Sequence, residues 1–110
     1  MYSSEDFEEI VRIFRKHVPD LRALYLFGSY AAGVANHQSD ADIAVIVEKK
    51  PAWEERHQLL NRLWSELGEK RYLVDIIIKQ QSDFEKDREL SVTLSHTIVQ
   101  EGRILWKAAA

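Results

Sequence analysis

With 110 residues, 45% of them apolar and 30% charged, the chain has the size and composition of one compact globular domain, read as residues 1–107 with 108–110 as a tail. A net charge of −3 argues against broad nucleic-acid binding, which usually shows a basic surface, and leaves room only for a small basic nucleotide pocket. The lack of cysteine excludes disulfides and thiolate metal sites, and without a long apolar run or a signal peptide the sequence reads as cytoplasmic.

Ser3 and Ser4 stand before Glu5, Asp6, Glu8 and Glu9, a cap followed by acids at the positive end of a helix dipole. Phe7, Ile10, Val11 and Phe14 recur at helical spacing, so residues 4–17 form an amphipathic helix that ends at Pro19-Asp20. Residues 21–27 are a short apolar run of strand type, broken by Gly28. Residues 29–32 suit a short helix with Gly33 as its stop. Residues 41–47 are almost continuously apolar, as in a strand buried on both faces. Pro51 opens a helix through Leu67, with Trp53, Leu60, Leu63, Trp64 and Leu67 as its apolar face and Gly68 as its stop. Trp53 and Trp64 are expected to pack that helix onto the sheet. Residues 71–79, RYLVDIIIK, are a third strand. Ser82-x-x-Glu85 is a capping box, and Leu90, Leu94, Ile98 and Val99 continue at helical spacing to Gly102, in one helix or two. Residues 104–106 suit a short edge strand. The order α-β-α-β-α-β-α(β) is an α/β arrangement, helices packed on a small sheet.

Three acids break the apolar pattern. Asp75 interrupts Leu73, Val74, Ile76, Ile77 and Ile78, where an unpaired carboxylate is costly. Alone, it reads most simply as a sheet-end residue that touches water or meets a base. Asp40-x-Asp42 alone is compatible with a turn at Ser39-Asp40 before a strand. Their combination is more telling, because two strands of one sheet carry acids at otherwise apolar positions. Three converging carboxylates raise one another's pKa values unless a cation joins them. A hard cation such as Mg²⁺, held by a few carboxylates together with substrate phosphates, resolves that conflict. Gly28-Ser29 supplies the phosphate side: glycine lets the backbone turn sharply, and a helix starting there aims free N–H groups at an anion. Of the remaining candidates, His37 reads as a solvated loop residue. His17, His57 and His96 share no metal-ligand spacing. Tyr30 reads as a partly buried aromatic and Lys79 as a surface residue.

The stretch FGSYAAGVANHQSDADIAVIV resembles the glycine-serine motif and aspartate pair of the DNA polymerase beta-type nucleotidyltransferase superfamily. LVDIII resembles the strand with that superfamily's third carboxylate, and EGRILW, residues 101–106, is a common ending in its minimal nucleotidyltransferase branch. The likeness covers nearly all of residues 5–106. It implies the polymerase beta-like nucleotidyltransferase fold, a small mixed β-sheet with flanking helices. It further implies that Gly28 and Ser29 bind the β and γ phosphates of ATP. Asp40 and Asp42 would hold two Mg²⁺ ions, and Asp75 would be a second-metal ligand or general base. The implied reaction is in-line attack of an acceptor hydroxyl on the α-phosphate, with pyrophosphate leaving. Relatives often read GS-x-A-R-G, and Ala32 stands at the arginine position, which removes a guanidinium clamp on the triphosphate.

Larger relatives grip the acceptor with an added helical domain, for which 110 residues leave no room. The acceptor is therefore expected on another chain, in a homo- or hetero-oligomer. Minimal nucleotidyltransferases resemble the antitoxin half of two-gene modules whose other half is a HEPN-type helical protein. The resemblance implies adenylylation of a tyrosine of that toxin. Two other readings stay open: an antitoxin that works by stoichiometric binding without catalysis, and a small-molecule, aminoglycoside-type nucleotidyltransferase, which length disfavours. Nucleic-acid elongation is the weakest option, given the acidic balance.

Overall fold

The computed structural model describes residues 1–36 and 40–109. The readings of His37 and of the turn at Ser39, and that of Ala110, lie outside the described residues. Helix α1 (Ser4–His17) starts on a reciprocal cap: Asp6 N–H donates to Ser3 Oγ at 3.1 Å, and Ser3 N–H donates to the Asp6 carboxylate at 2.8 Å. There follow β1 (Leu21–Phe27), α2 (Gly28–Ala31), β2 (Ala41–Val47), α3 (Trp53–Glu69), β3 (Val74–Gln80), α4 (Gln81–Asp87), α5 (Leu94–Glu101) and β4 (Arg103–Lys107). The strands form one mixed sheet in the order β3-β2-β1-β4. β1 runs antiparallel to both β2 and β4, while β3 runs parallel to β2 and is reached through α3. The expected mixed sheet with flanking helices is what forms.

Each face of the sheet has its own core. On one, Ala41, Ile43, Val45 and Val47 of β2 meet α1 through Phe7, Ile10 and Phe14, and α3 through Leu59, Leu63 and Leu67. On the other, Ala44 and Ile46 join Ala23, Tyr25, Phe84 of α4 and Ile98 of α5. β1 serves both faces by means of a bulge. The register against β2 passes from Leu21 opposite Val47 to Ala23 opposite Ile46, leaving Arg22 as the extra residue. Leu21, Leu24 and Leu26 thereby share one face, and Ala23 and Tyr25 the other. The β4 ladder continues past Lys107, with Ala108 N–H donating to Arg22 O at 2.8 Å.

Several boundaries differ from the sequence reading. The buried stripe of α3 is Leu59, Leu63 and Leu67, one residue round from the expected face. Trp53 is 73% exposed and Trp64 46% exposed, so neither packs the helix onto the sheet as expected. Trp53 meets the His57 ring edge-on at 4.4 Å, and Trp64 Nε1–H donates to Val74 O at the sheet edge. Gly68 does not stop α3, which runs to Glu69. Arg71, at φ 64°, takes the left-handed position instead, and β3 starts only at Val74. The Ser82-x-x-Glu85 box does not form, because the Gln80 side chain accepts from Asp83 N–H at 3.0 Å and caps α4 itself. The last helical pattern splits into α4 and α5, the second capped by Thr93, and Leu90 and Leu94 stay exposed.

Candidate active site

The close spacing of β1, α2 and β2 gathers the two sequence motifs at one end of the sheet. Phe27 ends β1 directly opposite Asp42 of β2, and Asp42 is in turn the in-register parallel partner of Asp75 on β3. Cross-strand neighbours project to the same side, so Phe27, Asp42 and Asp75 lie on the face of Tyr25, Ala44 and Ile46, just beyond the cover of α4 and α5. Phe27 escaped the sequence reading. Counting back one residue from Gly28 and pairing that residue with the aspartate strand would have found it.

Gly28 joins the motifs physically. Its φ of +70° is a conformation that favours glycine, and a Cβ added there would overlap Asp42 Oδ2 and lie 3.0 Å from Asp42 Cγ. The Asp42 carboxylate therefore sits against the backbone of the turn into α2. Ser29, partly buried, follows as the first residue inside that turn, whose helical bond runs from Ala32 N–H to Gly28 O at 3.0 Å. Gly33, which follows α2, also has a positive φ, +76°. Ala32 is exposed at the end of α2.

Asp42 bears the effect of both burial and the neighbouring acids. Burial pushes the Asp42 carboxyl above the usual carboxylate range, and the charge and hydrogen bond of Asp75 and the charge of Asp40 push it further. No ion pair among the described residues involves Asp40, Asp42 or Asp75. Asp42 is half-buried, while Asp40 and Asp75 are exposed. Asp42 and Asp75 stand side by side, and Asp40 bears on Asp42 through its charge. Among the described residues, no group of three His, Cys, Asp or Glu side chains gathers at metal-binding distance. A pair of hard oxygen donors facing open solvent still suits Mg²⁺, which is commonly held by one or two carboxylates with phosphate oxygens filling its other positions.

The other candidates have ordinary structural partners. His17 Nε2 is 2.8 Å from Glu66 Oε1, and His96 Nδ1 is 2.9 Å from Arg88 O. Tyr30 stacks on Tyr2 at 5.5 Å and accepts from Tyr2 N–H. A cavity of about 510 Å³ opens at the opposite end of β2, lined by His17, Asp20, Glu48, Lys49, Lys50 and Arg62 among others. It contains none of the three aspartates. Among the described residues, no helix is long and apolar enough to cross a membrane.

This arrangement has relatives. The protein adenylyltransferase MntA of Shewanella oneidensis is 33% identical over 98 residues, which cover 89% of this chain and 63% of MntA. The chain thus spans less than two thirds of that relative. A chain of a toxin–antitoxin crystal structure with AMP-PNP superposes with a TM-score of 0.65 at 28% identity, over 94% of this chain and 74% of that one. A structure of tri-AMPylated Shewanella oneidensis HEPN toxin in complex with MNT antitoxin gives 0.57 at 27% identity, over 93% and 70%. The family described as "Polymerase beta, Nucleotidyltransferase" matches residues 8–109, a span that includes the glycine turn and all three aspartates, and the chain belongs to that family.

Proposed function

We propose that this chain is a Mg²⁺-dependent adenylyltransferase that moves AMP from ATP to a hydroxyl of a partner protein, in the manner of an antitoxin that silences a HEPN-type toxin by modifying a tyrosine. The observation that carries the reading is the Asp42 carboxylate, lodged between the Gly28 turn and Asp75 and, among the described residues, in no ion pair. A triphosphate with its metal ion is the ligand that such a seat lacks. The name of the Shewanella relative and the AMP-PNP and AMPylated-toxin complexes among its structural neighbours support the choice of adenylate and of acceptor.

In this reading Gly28 and Ser29 bind the β and γ phosphates, the first by close backbone approach and the second through its hydroxyl. Asp40, Asp42 and Asp75 hold Mg²⁺, which when bound neutralises the charge of the triphosphate. Asp75, the most open of the strand-borne acids, also orients the acceptor hydroxyl and draws off its proton. The acceptor oxygen then bonds to the α-phosphorus while the bond to the β-phosphate oxygen breaks and pyrophosphate leaves. Residues 1–107 would form the transferase domain, and a cytoplasmic setting, rich in ATP and Mg²⁺, fits the chemistry.

Incubation with α-labelled ATP, Mg²⁺ and the helical protein encoded beside it tests the proposal. Label should pass to the partner and be lost in Asp42→Asn. Ala32 favours one other reading, an antitoxin that neutralises by contact alone, because the position lacks the guanidinium clamp. Neutralisation that survives Asp40→Asn with Asp42→Asn, without any label transfer, would establish that reading and overturn the first.

A further inference from the structure

β3 is the outermost strand on its side of the sheet, so one side of its backbone has no neighbouring strand among the described residues. Two hydrogen bonds show which groups point outward. Ala41 N–H donates to Leu73 O at 3.0 Å, so Leu73 faces β2, whereas Val74 O accepts from Trp64 Nε1–H at 3.2 Å. Successive residues turn their N–H and C=O to alternate sides of a strand. Ile76 and Ile78 therefore present theirs outward, and Asp75, Ile77 and Lys79 present theirs to β2. The free edge reads Asp75-Ile76-Ile77-Ile78-Lys79, acid at one end and base at the other, with isoleucine between.

We propose that two copies of this chain pair antiparallel through β3, about a twofold axis at Ile77. In that register Ile76 exchanges both of its backbone hydrogen bonds with Ile78 of the other copy, and Ile77 faces itself at a non-hydrogen-bonded position. Asp75 stands opposite Lys79 of the other copy on the same face, twice over by symmetry. A register centred on Ile76 or Ile78 would put Asp75 opposite Ile77 or Gln81 and lose both ion pairs, so charge selects the register. The Trp64 indole on Val74 O closes the ladder at one end and confines it to residues 75–79. Lys79 makes no ion pair among the described residues. Four strand residues, about 13 Å, separate it from its own Asp75. The dimer brings Lys79 of the other copy to the Asp42–Asp75 pair, so each site gains from its neighbour a positive charge beside acids that make no ion pair among the described residues. The pairing rests on β3 and holds whether or not the site transfers adenylate.

The chain has no cysteine, which makes the register directly testable. In Ile77→Cys the two opposed Cα atoms would stand about 4.5 Å apart, within the span of a disulfide. Mild oxidation should convert most of that variant to a covalent dimer. Val92→Cys, at a loop residue 94% exposed, should react at least about tenfold more slowly, since its thiols meet only by diffusion. Sedimentation equilibrium should give the wild type twice the 12.8 kDa chain mass. Lys79→Glu should weaken the dimer by about tenfold or more, as like charges directly opposite repel, and adding Asp75→Lys to it should restore the dimer. A wild type that sediments as a single chain overturns the proposal even if Ile77→Cys fails to fold. So does crosslinking no faster than that of Val92→Cys, or a charge-swapped double variant as dissociated as Lys79→Glu.

Discussion

Along β2, Ala41, Ile43, Val45 and Val47 turn toward α1 and α3 and are fully covered, whereas Asp42, Ala44 and Ile46 turn toward α4 and α5, which bury the last two and leave Asp42 half-open. Helix length explains the contrast. The first pair of helices has 14 and 17 residues, about 21 and 25 Å of axis. The second has 7 and 8 residues, about 10 to 12 Å, against a seven-residue strand of about 23 Å. Short helices cannot cover a whole strand, and the acids occupy the uncovered end. One face of the sheet is thus covered along the whole strand, and the other, with a smaller core of its own, keeps a bare end where charge meets solvent.

Neutralising Asp42 is the most severe test of that division. Asp42→Asn keeps the shape of the side chain and removes its charge, so we expect label transfer to fall about 10³-fold, the several kcal/mol that charge stabilisation around a transferring phosphoryl group supplies. Circular dichroism should show the fold unchanged. Transfer within tenfold of wild type would place the chemistry elsewhere. The complementary change is Leu63→Ala on the covered face, where Leu63 is fully buried. It should cost about 2–5 kcal/mol in urea unfolding, with transfer per folded molecule unaltered. A drop in transfer like that of Asp42→Asn would mean that the two faces are not separable.

The acids and the glycine turn were legible because each departs from a local period: an aspartate in an isoleucine run, a glycine at a strand end. The pairing of Asp42 with Asp75 was not, since it depends on how far the α3 crossover carries the chain before β3 begins at Val74. The face of α3 was ambiguous for a similar reason. Leu59, Leu60, Leu63, Trp64 and Leu67 are all apolar, so the stripe could centre on either side, and only the position of the sheet selects Leu59, Leu63 and Leu67. Gly68 misled because Arg71 adopts the left-handed turn that glycine usually fills, and Ser82 misled because α4 begins earlier, with Gln80 as its cap accepting from Asp83 N–H.

Two glycines separate backbone strain from the contact with the acid. Gly28 and Gly33 have nearly the same positive φ, 70° and 76°, but a Cβ on Gly28 meets Asp42 while one on Gly33 has nothing among the described residues within 4 Å. Gly33→Ala should therefore cost about 1 kcal/mol of stability through backbone strain alone. Gly28→Ala adds displacement of the Asp42 carboxylate, so its cost should reach about 2–3 kcal/mol and its transfer rate should fall further than its stability explains. Equal effects of the two variants in chemical denaturation and in the transfer assay would show that the turn and the acid are not in contact.

The smallest expected effect has the opposite sign for stability and for function. Because burial and the neighbouring acids raise the folded pKa of Asp42, folding prefers its protonated form. That preference is fully present below the ordinary carboxylate pKa of about 4, and it is lost as pH rises through the elevated folded value. At neutral pH the charged Asp42 therefore weighs against the fold, and Asp42→Asn, inactive in transfer, should be the more stable protein. Because the carboxylate is partly open to solvent, the gain should stay under about 1 kcal/mol. Thermal melts of the two proteins across pH should show a gap in favour of the variant at neutral pH that closes as pH falls below about 4. Mg²⁺ with ATP should reverse the order at neutral pH, because a ligand that binds only the folded wild type raises its melting temperature by mass action. A wild type at least as stable as Asp42→Asn at neutral pH without nucleotide would mean that burial and the neighbouring acids do not disfavour the charged Asp42, and the bare end of the sheet would lose its reason to attract a cation.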